Sequence, residues 1–392
     1  MTTGEGRRDS ENVESVLRAC RILKAFREDT ELLRLRDIVE RTSLSKTTAY
    51  RLLVSLQQGG ILERAGPAQF RRCFRPVEHH SARIGFAAQS SAGSFSRLVG
   101  ESIHRAAQDY GVELVEVDNR YSAKIALKNA EMLIAKRVEL VLEFQTYENV
   151  APIIASRFLQ AGIPVIAIEI PHPGATYFGA DNYQAGLLGG RALARWAKTE
   201  WGGHVEEVML LQELVAGPLP SSRVTGMLAG IREGLPHVAD SLITTFDGKG
   251  ALRPSYEVVR RHLRKRPPRR TLVAASNDPS ALGAIRAFEE CGAAAYCGVM
   301  SQNSIPEARE ELRRLGSRLV GSVAYFPERY GDQLIPLALS IIRGKAAPPA
   351  VFVKHVLVTR QNVDRIYPRD RESKASAGPA KTPRGARSKK AG

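Results

Sequence analysis

The sequence predicts an α/β protein: an N-terminal winged helix-turn-helix followed by a two-lobed core of doubly wound parallel sheets. Three observations carry that expectation. Residues 36–64, RDIVERTSLSKTTAYRLLVSLQQGGILER, give helix, turn, helix and strand signals in succession. From Arg83 onward, apolar strand-like runs alternate with amphipathic helical stretches, as parallel sheets covered by helices require. The length, 392 residues, exceeds one ordinary domain and leaves room for two such lobes.

The N-terminal elements follow in order. Val16–Phe26 (VLRACRILKAF) reads as a first helix. Asp37–Arg41 is predicted as a short helix with Ile38 and Val39 turned inward, and Ser43-Leu44 makes the turn. Ser45 can cap a second helix running to about Gln58, because its hydroxyl accepts from open backbone N–H groups of the first turn. On that helix Ala49, Leu52, Leu53 and Leu56 recur at helical spacing and face a core. Lys46, Thr47, Tyr50 and Arg51 occupy the opposite face near the helix N-terminus, where a recognition helix carries its base-reading and phosphate-binding side chains. Gly59-Gly60 ends the helix, Ile61–Arg64 starts a strand, Gly66-Pro67 turns, and Gln69–Cys73 returns as a basic wing strand with Arg71 and Arg72. The competing reading is a small helical domain with a solvated basic face.

The run Leu35, Ile38, Thr42, Leu44, Lys46, Thr48, Tyr50, Arg51, Leu52, Leu53 and Leu56 holds its register across three elements. Over roughly residues 13–75 the chain resembles the winged helix-turn-helix of the IclR-type bacterial regulators. The resemblance implies a double-stranded DNA operator as partner, met by Ser45, Lys46, Thr47, Thr48, Tyr50, Arg51, Arg71 and Arg72.

Charge agrees. The formal net charge is +16, which favours a polyanionic partner without bearing on the fold. Residues 369–392 hold eight Lys and Arg against Asp370 and Glu372 and lack apolar periodicity, so a disordered basic tail is expected over 368–392. That tail serves solubility or non-specific phosphate contact. The run Arg260–Arg266 before Pro267-Pro268 reads as a solvated helix end, where cations are favoured. The first residues, MTTGEGRRDSENVES, offer no apolar core for a signal peptide. No run reaches the roughly 18–20 apolar residues of a membrane span. The expected location is therefore cytoplasmic, with no membrane partner. Cys20, Cys73, Cys291 and Cys297 form no C-x-x-C pair and no histidine cluster has ligand spacing, so reduced thiols and no metal or cofactor are expected. His79-His80 falls in the expected linker.

In the core, predicted strands are Arg83–Gln89, Val112–Val117, Leu140–Phe144 and Pro164–Glu169, with helices reaching Tyr110, Lys136 and Ala161 between them. After Asp181-Asn182 the alternation resumes with Val208–Leu211, Leu242–Phe246, Thr271–Ser276, Tyr296–Met300 and Leu319–Val323. The expected organisation is a flexible start (1–12), the winged domain (13–76), a linker (77–82), the two-lobed domain (83–367) and the tail. Within the core, RIGFAAQ, GIPVI (162–166), FGADN (178–182), SRVTG (222–226), ASNDPSALGA (275–284) and GSVAYFPERYG (321–331) occur in order. Residues 83–367 thereby resemble the periplasmic sugar-binding proteins of the ribose-binding type and the effector cores of lactose-repressor-type regulators, a periplasmic-binding-protein-like fold.

Such a fold implies recognition in a cleft at the carboxyl ends of its strands. A polyol suits planar carboxylate, amide and guanidinium partners, and aromatic rings cover its C–H faces. Carried over residue by residue, the resemblance implies Phe95 for stacking, Phe144 or Gln145 after the third strand and Glu169 ending the fourth. It also implies Arg223 and Asn277 from the second lobe, Tyr325 at a crossing, and Asp181 as either ligand contact or hinge brace. The sequence departs from the family where an Asp-Arg pair usually ends the fourth strand: Glu169-Ile170 stands there, followed by Pro171-His172-Pro173. His172 either compensates or is loop structure. Where an Asp usually follows the Tyr296–Met300 strand, Met300-Ser301-Gln302 stands. The leading functional expectation is a ligand-responsive DNA-binding transcriptional regulator, acting as a homodimer, that senses a sugar or polyol. The alternatives are a solute-binding protein of a transport system and an enzyme. No G-x-S-x-G, Walker A, G-x-G-x-x-G or metal-ligand set supports an enzyme.

Overall fold

The computed structural model describes residues 13–28, 31–66, 68–73, 81–368 and 370, which form two units, one up to His80 and one from Ser81. The flexible start expected over 1–12, Pro67 of the wing turn, linker residues 77–80 with His79-His80, and all of the tail except 368 and 370 lie outside the described residues.

The first unit holds α1 (Glu14–Lys24), β1 (Leu33–Arg34), α2 (Leu35–Thr42), α3 (Lys46–Gln58), β2 (Leu62–Gly66) and β3 (Gln69–Arg72). Its core is Ile22, Phe26, Leu33, Ile38, Leu53, Leu56, Leu62 and Phe70, so each element contributes at least one side chain. Burying each such residue stabilises by about 1.5–3 kcal/mol before the entropy of ordering is subtracted. α2 begins two residues before the predicted Asp37. Asp37 instead accepts the Arg34 backbone N–H at 2.8 Å, closing the first turn from inside it. Ser43 turns the chain in the left-handed region (φ 54°). The wing gains a third strand, β1, antiparallel to β3 in the order β1-β3-β2; two residues are too few for an alternation signal.

The second unit has two α/β lobes. Lobe one runs β4 (Arg83–Ala88), α4 (Ser94–Asp109), β5 (Glu113–Asp118), α5 (Ala123–Ala135), β6 (Leu140–Glu143), α6 (Ala151–Gln160), β7 (Val165–Ile168) and β8 (Thr176–Gly179). Lobe two follows with α7 (Asn182–Trp201), β9 (Glu207–Gln212), α8 (Pro218–Gly234), β10 (Ile243–Asp247), α9 (Leu252–Leu263), β11 (Thr271–Ala275), α10 (Asp278–Glu290), β12 (Cys297–Asn303), α11 (Pro306–Arg313) and β13 (Leu319–Ala324). The chain then returns to lobe one as α12 (Tyr330–Ile342) and β14 (Ala350–Phe352), and ends in lobe two as β15 (Val356–Val358) and α13 (Val363–Ile366). It crosses between lobes three times, after β8, β13 and β14.

Lobe one's sheet is parallel throughout, in the order β14-β8-β7-β6-β4-β5. Lobe two's order is β10-β9-β11-β12-β13-β15, with only β15 antiparallel. β8, β14 and β15 are absent from the sequence expectation: all three are short, β8 pairs with its predecessor β7, and β14 and β15 take their place by pairing with strands distant in sequence. β12 extends to Asn303, three residues past the predicted end, so Ser301 and Gln302 are buried strand positions and Asn303 stands at its carboxyl end.

Close contact between α7 and α8 fixes much of lobe two. A Cβ at Gly186 would lie 2.0 Å from the Arg223 carbonyl oxygen, so only glycine admits this approach. Among the described residues no helix is long and apolar enough to cross a membrane.

Candidate functional site

Two surfaces bring the candidate residues together. On α3, Ser45 accepts the Thr48 backbone N–H at 3.2 Å and donates to the Thr48 hydroxyl at 2.8 Å, so these two side chains are occupied in capping the helix. Lys46, Thr47, Tyr50 and Arg51 are exposed. Tyr50 leaves 55% of its surface in solvent, although an aromatic ring gains by burial; a partner surface would cover it. On the wing Arg71 faces Glu63 of β2 and donates to its carboxylate at 2.7 Å, while Arg72 is half-buried opposite Leu62. Glu63 thus offsets a charge that the sequence pattern assigned to the partner.

The second surface is a cleft between the lobes with about 740 Å³ of free space, its open mouth included. Phe95, Phe144, Glu169, Arg223 and Asn277 all line it. The carboxyl ends of parallel strands supply most of this lining, as the doubly wound topology requires. Phe95, at the start of α4, packs edge-on against Phe144 (centroids 6.3 Å apart) and Tyr330 (5.9 Å), which presents an aromatic floor. Glu169 follows β7 in the left-handed region (φ 62°), and its Oε1 accepts the Tyr330 hydroxyl. Arg223, on α8, donates through Nε (2.9 Å) and Nη2 (2.6 Å) to Asn182 Oδ1 and through Nη1 to the Ser276 carbonyl (3.1 Å). Its Nη2 stands 3.6 Å from Glu169 Oε2 across the lobes. Burial raises the pKa of Glu169, and the Arg223 charge and the Tyr330 hydrogen bond oppose that shift. Asn277 caps α10 by accepting the Ser280 N–H at 3.0 Å, and its Nδ2 donates to the Gly250 carbonyl at 3.0 Å and to Glu213 Oε2 at 3.3 Å.

Four candidates stand apart from the cleft lining. Gln145 is buried and turned back to accept the Tyr147 backbone N–H. His172 is buried, its Nδ1 pairs with the Ile170 carbonyl at 2.9 Å, and desolvation pulls its pKa down to about 4, so it is neutral. Asp181 caps α7 by accepting the Gln184 N–H at 3.1 Å. Tyr325 lies beneath the cleft with the Arg223 guanidinium 5.5 Å from its ring centroid, and donates to Gln302 Oε1 at 2.8 Å. Conversely, Gln89, Tyr121, Thr146, Glu213 and Asn303 line the cleft although sequence reasoning passed over them. Gln89 and Glu213 had a usable signal, a polar residue just beyond a strand's carboxyl end. Tyr121 had none, because a loop with two successive positive φ values (51° and 50°) delivers it.

Comparisons with known proteins follow the same division of the chain. A family model for the periplasmic binding protein domain matches residues 84–346, and one for the IclR helix-turn-helix domain matches residues 15–66. The ribose import binding proteins of Salmonella typhimurium and Escherichia coli are each 22% identical over 264 residues, covering 67% of this chain and 85% of theirs. An ABC transporter periplasmic solute binding protein from Actinobacillus succinogenes, solved with bound D-allose, superposes with a TM-score of 0.63 at 19% identity, covering 72% of this chain and 99% of that one. A solute binding protein from Bacillus halodurans, solved with bound myo-inositol, gives 0.64 at 20% identity, with 73% and 97% covered. At these identities the structural likeness establishes the fold. With two thirds of its length matched by one family model, the chain belongs to the periplasmic binding protein domain family, and it carries an IclR helix-turn-helix domain ahead of that core.

Proposed function

We propose that this protein is a ligand-responsive transcriptional regulator of the cytoplasm, which binds an operator through α3 and the wing and senses a small sugar or polyol in the interlobe cleft. The observation that carries this reading is the exposed set Lys46, Thr47, Tyr50 and Arg51 on the same chain as a cleft whose two walls meet at Glu169 and Arg223. Lys46 meets a phosphate, while Thr47, Tyr50 and Arg51 approach base edges in the major groove. Arg71 and Arg72 lie along the neighbouring backbone, Arg71 exchanging Glu63 for phosphate. One short recognition helix reads too few bases for a unique site, so the working species is a homodimer on paired half-sites.

In the cleft, Phe95 and Phe144 cover the C–H face of the ligand, and Glu169, Arg223 and Asn277 take its hydroxyls. The lobes hinge about three crossings, so ligand that bridges both walls fixes their relative setting. Affinity for ligand and operator then change by the same factor, because linkage is reciprocal. The test selects an operator from a random duplex pool, then titrates a panel of sugars and polyols with and without that duplex. The proposal expects at least one compound whose affinity differs between the two titrations. Equal affinities throughout would remove the sensor.

A second reading, a solute-binding protein of a transport system, draws on the import role in the names of its relatives. It predicts ligand binding with no sequence-selective DNA binding, so the duplex selection separates the two readings.

A further inference from the structure

The cleft's charge is unusual for this chain. On a protein of net charge +16, the cleft is lined by two carboxylates, Glu169 and Glu213, against Arg223, its only lining cation among the described residues. Arg223 is also largely engaged. Of the five N–H groups of a guanidinium, three are donated to Asn182 and Ser276, and Nη2 faces Glu169. An anionic ligand would have to displace Glu169 from the one cation that lines the cleft among the described residues, and would meet Glu213 as well.

The acceptors, by contrast, are open. Glu169 Oε2 is buried, belongs to a side chain that lines the cleft and takes no hydrogen bond among the described residues, the Arg223 Nη2 facing it from 3.6 Å. Among the described residues Glu213 takes one hydrogen bond, from Asn277 to Oε2 at 3.3 Å, and none at Oε1, while burial raises its pKa against the opposing charge of Arg223. A buried carboxylate short of donors is costly, and a ligand that brings charged donors relieves the cost most. The opposite wall suits a cation too. Phe95, Phe144 and Tyr121 line it, and the negative face of an aromatic ring attracts an ammonium group. Tyr121 lies within electrostatic reach of Glu213: burial raises the pKa of its phenol, and the charges of Glu213 and Asp118 add to that shift.

We infer that the cleft takes a polyhydroxylated ligand bearing a protonated amine, an aminosugar or aminopolyol, whose ammonium group is received by Glu213 and the facing aromatic wall. The inference rests on the reading of the cleft as the ligand site and narrows its ligand class. Glu169 and Arg223 then take the hydroxyls, and Glu213 sets specificity for charge.

The test measures binding to the full chain by thermal shift and calorimetry with matched sets: glucosamine, glucose and N-acetylglucosamine; galactosamine, galactose and N-acetylgalactosamine; and glucuronate. The measurements are made as a pH series from mildly acidic to neutral, because burial raises the pKa of both Glu169 and Glu213 and the carboxylates as well as the amine must be charged. The expected result is that an amine binds on the order of tenfold or more tighter than its hydroxyl parent, the scale of a hydrogen bond to a charged group. Its N-acetyl form should lose that gain, and glucuronate should not bind. In Glu213→Gln the ratio of amine to parent affinity should fall toward one. Neutral sugars binding as tightly as their amines, or a preference that survives Glu213→Gln, would overturn the inference and leave the sugar-sensing proposal standing. No binding by any member of the sets would overturn both. The comparison on the unaltered chain decides the matter even if the variant does not fold.

Discussion

Glu169 of lobe one and Arg223 of lobe two face each other at 3.6 Å, each with only 9% of its side chain exposed. The pair is therefore both a wall of the cleft and a fastening between lobes. Desolvation makes a buried pair a poor source of net stability, but removing one partner leaves a buried charge without compensation. Either Glu169→Ala or Arg223→Ala should lower the unfolding free energy by about 3–5 kcal/mol. The double variant should cost less than the sum. Denaturant unfolding of all three variants checks this, and additive losses would show that the two groups do not act as a pair.

Gly186 positions Arg223 without touching the cleft. Its missing side chain lets α7 approach the Arg223 backbone, with no room for a methyl group at 2.0 Å. Gly186→Ala should push α7 and α8 apart, cost about 1–3 kcal/mol of stability, and weaken ligand binding because the guanidinium moves. Full ligand affinity in a folded Gly186→Ala protein would contradict the role given to Arg223.

The pH dependence of stability should carry the mark of Glu143. This fully buried carboxyl receives one hydrogen bond, from Asn119 at 3.2 Å, and its Oε2 has no partner among the described residues. Desolvation raises its pKa from 4.5 to about 8, against the opposing effect of the Asn119 bond. Between those values the folded state keeps a proton that the unfolded chain has lost. The contribution is therefore neutral below the lower value, becomes increasingly destabilising as pH rises through the window, and levels off above it. Glu143→Gln should flatten that decline and raise the melting temperature most at alkaline pH. An unchanged pH profile would show that the group ionises normally.

On the DNA face, Arg51→Ala should cost on the order of 1–3 kcal/mol in operator binding and relax specificity at one position if its guanidinium reads a base. Lys46→Ala should weaken all duplexes alike and flatten the salt dependence. Binding isotherms over a salt series, on operator and on unrelated duplex, distinguish these outcomes. An Arg51→Ala protein with unaltered operator affinity would mean that α3 is oriented differently in the groove.

Sequence periodicity specified most of the fold, because its signals are local. Ala49, Leu53 and Leu56 mark the buried face of α3, and the apolar strands that follow Arg83 are long enough to read without their neighbours. In the cleft, Phe95, Phe144, Glu169, Arg223 and Asn277 were legible because each lies near the start of a helix or the end of a strand. Tertiary structure decided the remainder. β1, β14 and β15 exist through pairing with strands distant in sequence, and the extra length of β12 put Asn303 rather than Ser301 or Gln302 at the cleft. His172 and Tyr325 carry suitable chemistry, but their orientation and burial turn them away from it. Which chain neighbours an atom has is fixed by sequence spacing. Which polar atoms remain open to a ligand depends on hydrogen bonds made by residues far apart in the chain, as when Asn182 and Ser276 engage Arg223 while Glu169 Oε2, facing it at 3.6 Å, takes no hydrogen bond among the described residues.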